Sequence, residues 1–261
     1  MWVSYMNAII TENPRKTSSL FSSLEPRFSD RPLLEILEAA KKYPTMESAA
    51  TKMQTKTIDG IFASGKSPTE TFKLLRLDNV GDGILSSPLF QTWKNYVEVF
   101  NKKRPNHQES WFDPIHINYI PFLVESIIEK AMQNPSTVRI AKQAESAWLQ
   151  KKLGGGGTSS QPFRFLHLNK AGEKTLASPK FKTWAKYLND FNHRYPDQKT
   201  TMIDGIRANY YDRRLLPILN AAKKDPRTEK LATNLQNALI AKWIAEKKNP
   251  SICGTRKAPM K

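Results

Sequence analysis

An internal repeat of 91 residues is the feature of this sequence that most restricts its fold. The stretch SSPLFQTWKNYVEVFN at 86–101 returns as ASPKFKTWAKYLNDFN at 177–192, with the Pro, Trp, Tyr and both Phe unchanged. The same shift works upstream, and self-similarity at a fixed period indicates tandem structural modules. The residues that occur three times on this register are Trp2, Tyr5, Pro14, Ile36, Ala40, Pro44 and Ala50, then Trp93, Tyr96, Pro105, Ile127, Ala131, Pro135 and Ala141, then Trp184, Tyr187, Pro196, Ile218, Ala222, Pro226 and Ala232.

The register of the repeat divides the chain into four parts. We expect a truncated module at 1–65, whole modules at 66–157 and 158–250, and a basic tail at 251–261. The first module is called truncated because its tryptophan is Trp2, so the positions that match 72–90 would precede residue 1. These three modules are called the first, second and third repeat below.

Residues that start and stop helices recur with the repeat and predict an all-α fold. Ser87-Pro88 and Ser178-Pro179 place proline at the first helical position after an N-cap serine, and Ser67-Pro68-Thr69-Glu70 adds the glutamate of a capping box. No stretch alternates convincingly like a strand. We predict about five helices per module, one short and four packed as a small bundle. The tryptophan helix of the second repeat has an apolar stripe at helical spacing, made of Phe90, Trp93, Val97 and Phe100.

The recurring aromatic residues are predicted to form the structural core. A module of this size buries little apolar surface, so each buried aromatic side chain contributes a few kcal/mol at about 25 cal/mol per Å². The alternative for these residues is a role in base stacking or ligand binding. The predicted core residues are Trp2, Phe28, Trp93, Tyr119, Trp184 and Tyr210.

Composition excludes some classes of protein and leaves one open. The single Cys253 excludes a disulfide framework within the chain and a cysteine-rich zinc site. The mean hydropathy is −0.56, and no apolar run approaches the roughly 20 residues of a membrane-spanning helix. The net charge of +17 suits a nucleic acid or an acidic partner. However, the basic residues are spread along the chain, as on a solvated surface, and the longest run is Lys102-Lys103-Arg104.

Residue patterns typical of catalytic or metal sites do not occur in the repeats. The four histidines, His107, His116, His167 and His193, do not recur at matching positions, and none has the HExxH spacing. Gly154 to Gly157 lack the Lys-Ser/Thr of a phosphate-binding loop, so we interpret them as a hinge. Asp113 and Asp204 recur, but a single carboxylate in each module, with no second catalytic type of residue recurring beside it, indicates a cap or turn. We therefore predict no catalytic, metal-binding or cofactor-binding residues.

Four stretches of the sequence match the motifs of a known family. FKLLRLDNVGDGILSSPLFQTWKNYVEVFN resembles the L and W motifs of the LWY tandem-repeat effectors of oomycete plant pathogens, within the RXLR class. NYIPFLVESIIEKAMQNPSTVRIAKQAESAWL and NYYDRRLLPILNAAKKDPRTEKLATNLQNALI are similar to the Y motif and its last helix. GKSPTETFKLLRLD is similar to the link between modules. The resemblance extends to about residue 250.

The resemblance implies a fold and a way of joining the modules. The expected architecture is an elongated rod of stacked helical bundles, in which the short L helix of each module docks on the bundle before it. By position, the joint to the first module would contain Phe72, Leu75 and Leu77, and the joint to the second Phe163, Leu166 and Leu168.

The resemblance also implies a function. Such proteins are secreted, enter the cytoplasm or nucleus of the host cell, and suppress immunity by binding host plant proteins without catalysis or cofactors. Some members of the family recruit the host type 2A protein phosphatase through its scaffold subunit, and some suppress RNA silencing. This chain shows neither a signal peptide nor an Arg-x-Leu-Arg motif.

Two functions follow as hypotheses. The favoured one is a virulence effector whose outer helical faces bind host proteins, with Arg213 and Arg214 as candidate binding residues. The alternative is a nucleic-acid-binding helical repeat protein, whose affinity would fall steeply with salt because counterions are released on binding.

Overall fold

A computed structural model describes residues 2–246, which contain α-helices and short 3₁₀ turns and no strand. The predicted all-α class is confirmed. The predicted basic tail at 251–261 lies outside the described residues. The α-helices are α1 (Trp2–Glu12), α2 (Thr17–Ser22), α3 (Asp30–Ala40), α4 (Pro44–Ala63), α5 (Pro68–Leu74), α6 (Pro88–Lys103), α7 (Asp113–Asn118), α8 (Pro121–Met132), α9 (Val138–Gly154), α10 (Ser160–Phe165), α11 (Pro179–Arg194), α12 (Met202–Arg207), α13 (Asp212–Ala222) and α14 (Glu229–Ala245).

Each of the two longer repeats contributes five α-helices, α5 to α9 and α10 to α14. The tryptophan helices α6 and α11 begin at Pro88 and Pro179, as the sequence predicts. Both helices end two residues before the next proline, Pro105 or Pro196, because a proline ring cannot continue a helix. The capping box at the start of α5 is also formed.

The chain divides into two compact units, one up to Ala147 and one from Trp148 onward. This boundary lies inside α9 and ahead of the glycines at 154–157, where the predicted modules meet. The end of α9 belongs to the later unit because the Trp148 ring stacks on Phe165, with the ring centroids 4.0 Å apart. The three modules and their stacking into a rod stay predictions.

The glycine run after α9 forms a hydrogen-bonded turn. Gly156 has a φ of 71°, the left-handed conformation that commonly ends a helix. The hydroxyl of Tyr195 donates a hydrogen bond of 2.8 Å to the carbonyl oxygen of Leu153, and that of Tyr187 donates one of 2.8 Å to Gly157. Two phenols therefore bind the main chain of this turn, and the interpretation of the run as a hinge stays a prediction.

Burial separates the first repeat from the other two. Trp93 and Trp184 are fully buried, whereas Trp2 is 40% exposed and its neighbour Phe28 is 37% exposed. In the later repeats Phe72 and Phe163 cover the indole ring, and the corresponding position for Trp2 would precede residue 1. The prediction that Trp2 and Phe28 are core residues is wrong in this structure.

A polar cluster joins the first and second repeats within the earlier unit. The hydroxyl of Thr92, on α6, donates to the Glu38 carboxylate of α3 at 2.6 Å. The amide nitrogen of Gln54 donates to the Thr92 hydroxyl at 2.9 Å and also to Glu38, while Lys41 donates to both Glu38 and Gln54. Because Gln54 and Thr92 are buried, an unpaired member would cost stability, which fixes the register of α6 on α3 and α4.

We expect Trp184→Ala to lower the free energy of unfolding by about 3–5 kcal/mol, as deletion of a large buried aromatic side chain does. Trp2→Ala is the matched control, because Trp2 has the same place in the repeat but is exposed, and its effect should be below about 1 kcal/mol. Urea denaturation followed by circular dichroism measures both. Equal effects for the two variants would contradict the assignment of Trp184 to the core.

Two helical glycines should respond to alanine with opposite signs. A Cβ at Gly205 would lie 2.7 Å from the buried ring of Trp184, so Gly205→Ala should destabilise the protein by about 1–3 kcal/mol. A Cβ at Gly60 has no atom within 4 Å, so Gly60→Ala should stabilise α4 by up to about 1 kcal/mol. Thermal unfolding of both variants checks the signs, and a stabilising Gly205→Ala would show that the contact is absent.

Candidate functional site

Buried aromatic side chains hold the main chain of the L segments, which are residues 66–86 of the second repeat and 157–177 of the third. Each whole repeat uses one tryptophan and two tyrosines, whose N–H and O–H groups donate to carbonyl oxygens. In the second repeat Trp93 donates to Pro68 at 2.8 Å, Tyr96 to Lys66 and Tyr119 to Leu77. In the third repeat Trp184 donates to Ser159 at 2.9 Å, Tyr187 to Gly157 at 2.8 Å and Tyr210 to Leu168.

These hydrogen bonds explain why the repeat keeps tryptophan and tyrosine. Phenylalanine or leucine could fill the same volume but would leave a carbonyl oxygen of the L segment without its donor. The apolar spacing predicts the burial of these side chains but not their hydrogen bonds to the L segment. The available signal was that the two whole repeats never exchange these residues for phenylalanine at Tyr96, Tyr119, Tyr187 or Tyr210.

The L segments also share an unusual backbone turn. Arg76 and His167 occupy matching positions and have φ values of 50° and 56°, in the left-handed region that costs energy for residues with a side chain. Each residue directly precedes a leucine whose carbonyl accepts a tyrosine hydrogen bond, Leu77 or Leu168. The tyrosines therefore stabilise the chain where it departs from helical geometry.

The predicted joint residues are buried, and two of them contact their own repeat. Phe72, Leu75, Leu77, Phe163, Leu166 and Leu168 are all at most 4% exposed. The Phe72 ring packs edge-on against Trp93 with centroids 5.0 Å apart, and Phe163 packs against Trp184 at 4.9 Å. Both phenylalanines thus belong to the core of their own repeat. Docking of the leucines on the preceding module stays a prediction.

An open pocket of about 650 Å³ lies between the L segment of the third repeat and α13. The 3₁₀ turns at 168–174 of the L segment line one side of the pocket. Tyr210, which also lines it, lies two residues before the start of α13. The pocket contains both arginines that the sequence analysis proposed for partner binding. Its lining residues are Asn169, Lys170, Gly172, Glu173, Tyr210, Arg213, Arg214, Pro217 and Ile218.

The charged side chains of this pocket have no partners among residues 2–246. Lys170, Glu173, Arg213 and Arg214 are exposed and form no ion pair or side-chain hydrogen bond there. A nearby arginine behaves differently, because Arg207 donates to the carboxylates of Asp212 and Glu246 at 2.8 Å each. These hydrogen bonds raise the pKa of Arg207 above its ordinary value.

Positive charge is concentrated in the later compact unit. Residues 148–261 contain 23 of the 41 Lys and Arg but only 8 of the 24 Asp and Glu. This region therefore carries +15 of the net charge of +17. The net charge of the whole chain does not show this uneven distribution. The excess of positive charge favours the approach of anionic groups to the unit that contains the pocket.

The corresponding surface of the second repeat is apolar. Phe122 and Leu123 stand where the third repeat has Arg213 and Arg214. Phe122 is 78% exposed, and the nearby Ile117 and Ile120 are 69% and 68% exposed. One backbone framework thus presents an apolar surface in one repeat and a basic one in the next.

The other candidates for chemistry are dispersed. All four histidines are exposed, and within residues 2–246 no three His, Cys, Asp or Glu side chains come together as a metal site. Asp204 lies in the first turn of α12, where Thr201 caps its amide. Burial raises the pKa of Asp204, but hydrogen bonds from Lys242 and Thr201 outweigh it and lower the value. In the same range no helix combines the length and apolarity needed to cross a membrane.

Comparison with known proteins identifies the family. The chain is 52% identical over 254 residues to an RxLR effector protein of Phytophthora infestans, and 35% identical over 250 residues to RxLR effector protein PSR2 of Phytophthora sojae. Each alignment covers 96% of this chain and 37% of the relative. The chain is therefore a homologue of the RxLR effectors, and the resemblance predicted from its motifs is confirmed. No family model matches the chain.

A solved structure supports the same conclusion. The crystal structure of PcRxLR12 matches with a TM-score of 0.61 and 32% sequence identity, over 99% of this chain and 64% of that one. A more distant relative is the secreted RxLR effector protein RXLR-C08 of Plasmopara halstedii, 27% identical over 68% of this chain. The chain spans little more than a third of the length of the Phytophthora relatives named above, so their full-length activities are not assigned to it.

The tyrosine that holds the glycine turn should make stability sensitive to alkaline pH. Burial raises the pKa of Tyr187 to about 12, and Tyr195 nearby adds to the rise. Because the folded protein retains this proton longer than the unfolded chain, the contribution is complete below about pH 10 and is lost as pH rises towards 12. Urea unfolding at several pH values should show a shallower alkaline decline for Tyr187→Phe than for wild type.

The control for this experiment is Tyr211→Phe, at a tyrosine that is 68% exposed. It should decline like the wild type, because its hydroxyl is in contact with water in both states. If Tyr187→Phe and Tyr211→Phe have the same alkaline slope, Tyr187 does not retain its proton on folding.

Proposed function

We propose that this chain is a host-protein-binding part of a secreted virulence effector that acts inside the plant cell, in the cytoplasm or the nucleus. It holds a host protein by its exposed helical surfaces and performs no catalysis. The homology to RxLR effectors supports the virulence role. The dispersed histidines and carboxylates among the described residues give no support to a reaction centre.

The observation that carries this proposal is the contrast between frame and surface. In the two whole repeats the recurring tryptophans, tyrosines and phenylalanines are buried, and the prolines at 88 and 179 start helices. The exposed positions next to this frame differ, with Ile120 and Phe122 in one repeat and Tyr211 and Arg213 in the other. Exposed apolar side chains close together are typical of protein-binding surfaces. Repeats with a common frame and different surfaces suit the recognition of one partner at several places.

The first partner to test is the scaffold subunit of the host type 2A protein phosphatase. The resemblance of the repeats to LWY effectors motivates this choice, and suppression of RNA silencing is the corresponding cellular readout. A nucleic-acid-binding function is the second candidate, because residues 148–261 carry +15 of the net charge. The two candidates differ in salt dependence, which is steep for nucleic acid.

Affinity purification of the tagged chain from plant tissue tests the proposal. We expect a host protein in roughly stoichiometric amount that survives ribonuclease treatment, and immunoblotting for the phosphatase scaffold tests the named partner. Recovery of RNA without an enriched host protein would contradict the proposal and favour the second candidate.

Partner binding should also depend on the contact between the first and second repeats. Phe62 of α4 packs edge-on against Phe100 of α6 at 6.2 Å, with the charged groups of Lys103 and Arg104 over its ring at 4.5 and 5.2 Å. Phe62→Ser removes this contact, and we expect it to reduce host-protein recovery by about tenfold while helix content by circular dichroism is retained.

The matched control is Tyr5→Ser, which replaces an aromatic side chain that is 65% exposed in the same unit. It should leave recovery unchanged. Full recovery with Phe62→Ser would show that the first repeat need not be fixed on the second for binding.

A further inference from the structure

We propose that the pocket between the L segment of the third repeat and α13 binds carboxylate side chains of an acidic, partly apolar segment of a partner protein. The inference rests on the proposed function, because that segment belongs to the host protein held in the plant cell. It goes further by assigning the site, the chemistry of the ligand and the residues that recognise it.

The first step is the convergence of unpaired cations on one pocket. Arg213 and Arg214 come from the first turn of α13, and Lys170 comes from the 3₁₀ turn opposite. No carboxylate among residues 2–246 pairs with these three side chains. A guanidinium group binds a carboxylate through two parallel hydrogen bonds, so two adjacent arginines suit a segment with more than one acidic residue.

The second step is the apolar part of the lining. Tyr210, Pro217 and Ile218 contribute ring and aliphatic surface between the charged groups. Pro217 lies inside α13 and has no N–H to donate to the carbonyl oxygen of Arg213, four residues earlier. The pocket therefore offers apolar contact between its charged groups, and Pro217 removes the usual helical donor to the carbonyl of Arg213.

The third step is a buried polar atom in the lining of the pocket. Asn169 lines the pocket, and its buried Oδ1 has no hydrogen-bond partner in the described part of the chain. The corresponding residue of the second repeat is Asp78, whose Oδ1 is equally buried and unpaired. The fold thus accepts either residue at this position. The neutral amide of the third repeat adds no second anion beside Glu173 that would compete with the ligand for Arg213 and Arg214.

The fourth step separates a protein segment from a nucleic acid. Glu173 lies in the same pocket and has no partner of its own among the described residues. It would repel a continuous phosphate backbone, which carries one charge at every nucleotide. A protein segment can place a basic residue or an amide N–H against Glu173 and its acidic residues against the arginines. The mixed charge of the pocket therefore favours a protein segment.

The second repeat supplies the substitution that tests the site. Arg213→Phe with Arg214→Leu reproduces Phe122 and Leu123, which the same fold already carries at these positions. The control is Lys224→Ala with Lys230→Ala, which removes two exposed charges from the same unit outside the pocket. Asn169→Asp reproduces Asp78 and adds one negative charge at the base of the pocket.

The experiment is calorimetric titration of the full chain with a synthetic peptide of alternating leucine and aspartate. The same peptide with asparagine for aspartate, and single-stranded oligo-dT, are the other ligands. We expect the acidic peptide to bind and the amide peptide not to bind. The arginine pair should weaken binding by about tenfold, Asn169→Asp by about threefold, and the lysine pair by less than about twofold.

Several results would overturn the assignment. One is failure of the acidic peptide to bind, and another is an equal loss of peptide affinity for the arginine and lysine pairs. A third is that oligo-dT binding depends on Arg213 and Arg214 while peptide binding does not. Purification from plant tissue separates this inference from the proposed function. A host protein recovered in full by the arginine-pair variant overturns the pocket assignment, whereas no host protein with the wild type contradicts the proposed function even when the peptide result holds.

Discussion

Hydrogen bonds from buried aromatic side chains to main-chain carbonyls are the interaction on which this structure depends. In each whole repeat one indole N–H and two phenol O–H groups hold an L segment that is mostly short helix and turn. The short turns of this segment form their own main-chain hydrogen bonds, and the buried aromatic donors connect its carbonyl oxygens to the rest of the repeat. The left-handed residues Arg76 and His167 occur where this support is present.

This way of fixing the main chain leaves the surface free to vary. A substitution of Phe122 or Arg213 changes what the protein presents, because neither side chain takes part in the hydrogen bonds that hold the L segment. The two whole repeats differ at this position by the exchange of an exposed aromatic residue for an unpaired cation. In the proposed function, differences of this kind decide which partner is bound, whereas the buried frame is the same in both repeats.

The sequence predicts local features of this protein well and long-range ones unevenly. Helix starts at Pro88 and Pro179 depend on neighbouring residues alone, and the structure has them at those residues. Trp2 could not be separated from Trp93 by pattern, because its exposure depends on whether a phenylalanine covers it. The glycines at 154–157 indicate a flexible run when only neighbouring residues are considered. The phenols that bind this turn belong to Tyr187 and Tyr195, about 30 to 40 residues later, so the local pattern does not predict them.

The candidate site was only partly visible in the sequence. Arg213 and Arg214 are a simple pair of charges on a helix, and the sequence gives no reason to place Asn169 or Glu173 beside them. Only the folded L segment brings these residues to one pocket. The net charge of the whole chain also does not show that the positive charge lies mainly after residue 148. The boundary at that residue is known only from the compact units of the structure.

Hydrogen–deuterium exchange of wild type and Tyr210→Phe measures whether the phenol hydroxyl holds the L segment of the third repeat. The variant keeps the aromatic ring and removes only the hydroxyl, which donates to Leu168 and lies 3.1 Å from the hydroxyl oxygen of Thr175. We expect faster exchange of the amides around 166–176, with α13 and α14 unchanged, because the hydroxyl holds the L segment and the ring holds the core. Identical exchange in the two proteins would contradict this expectation, since ring packing alone would then be sufficient to fix the L segment.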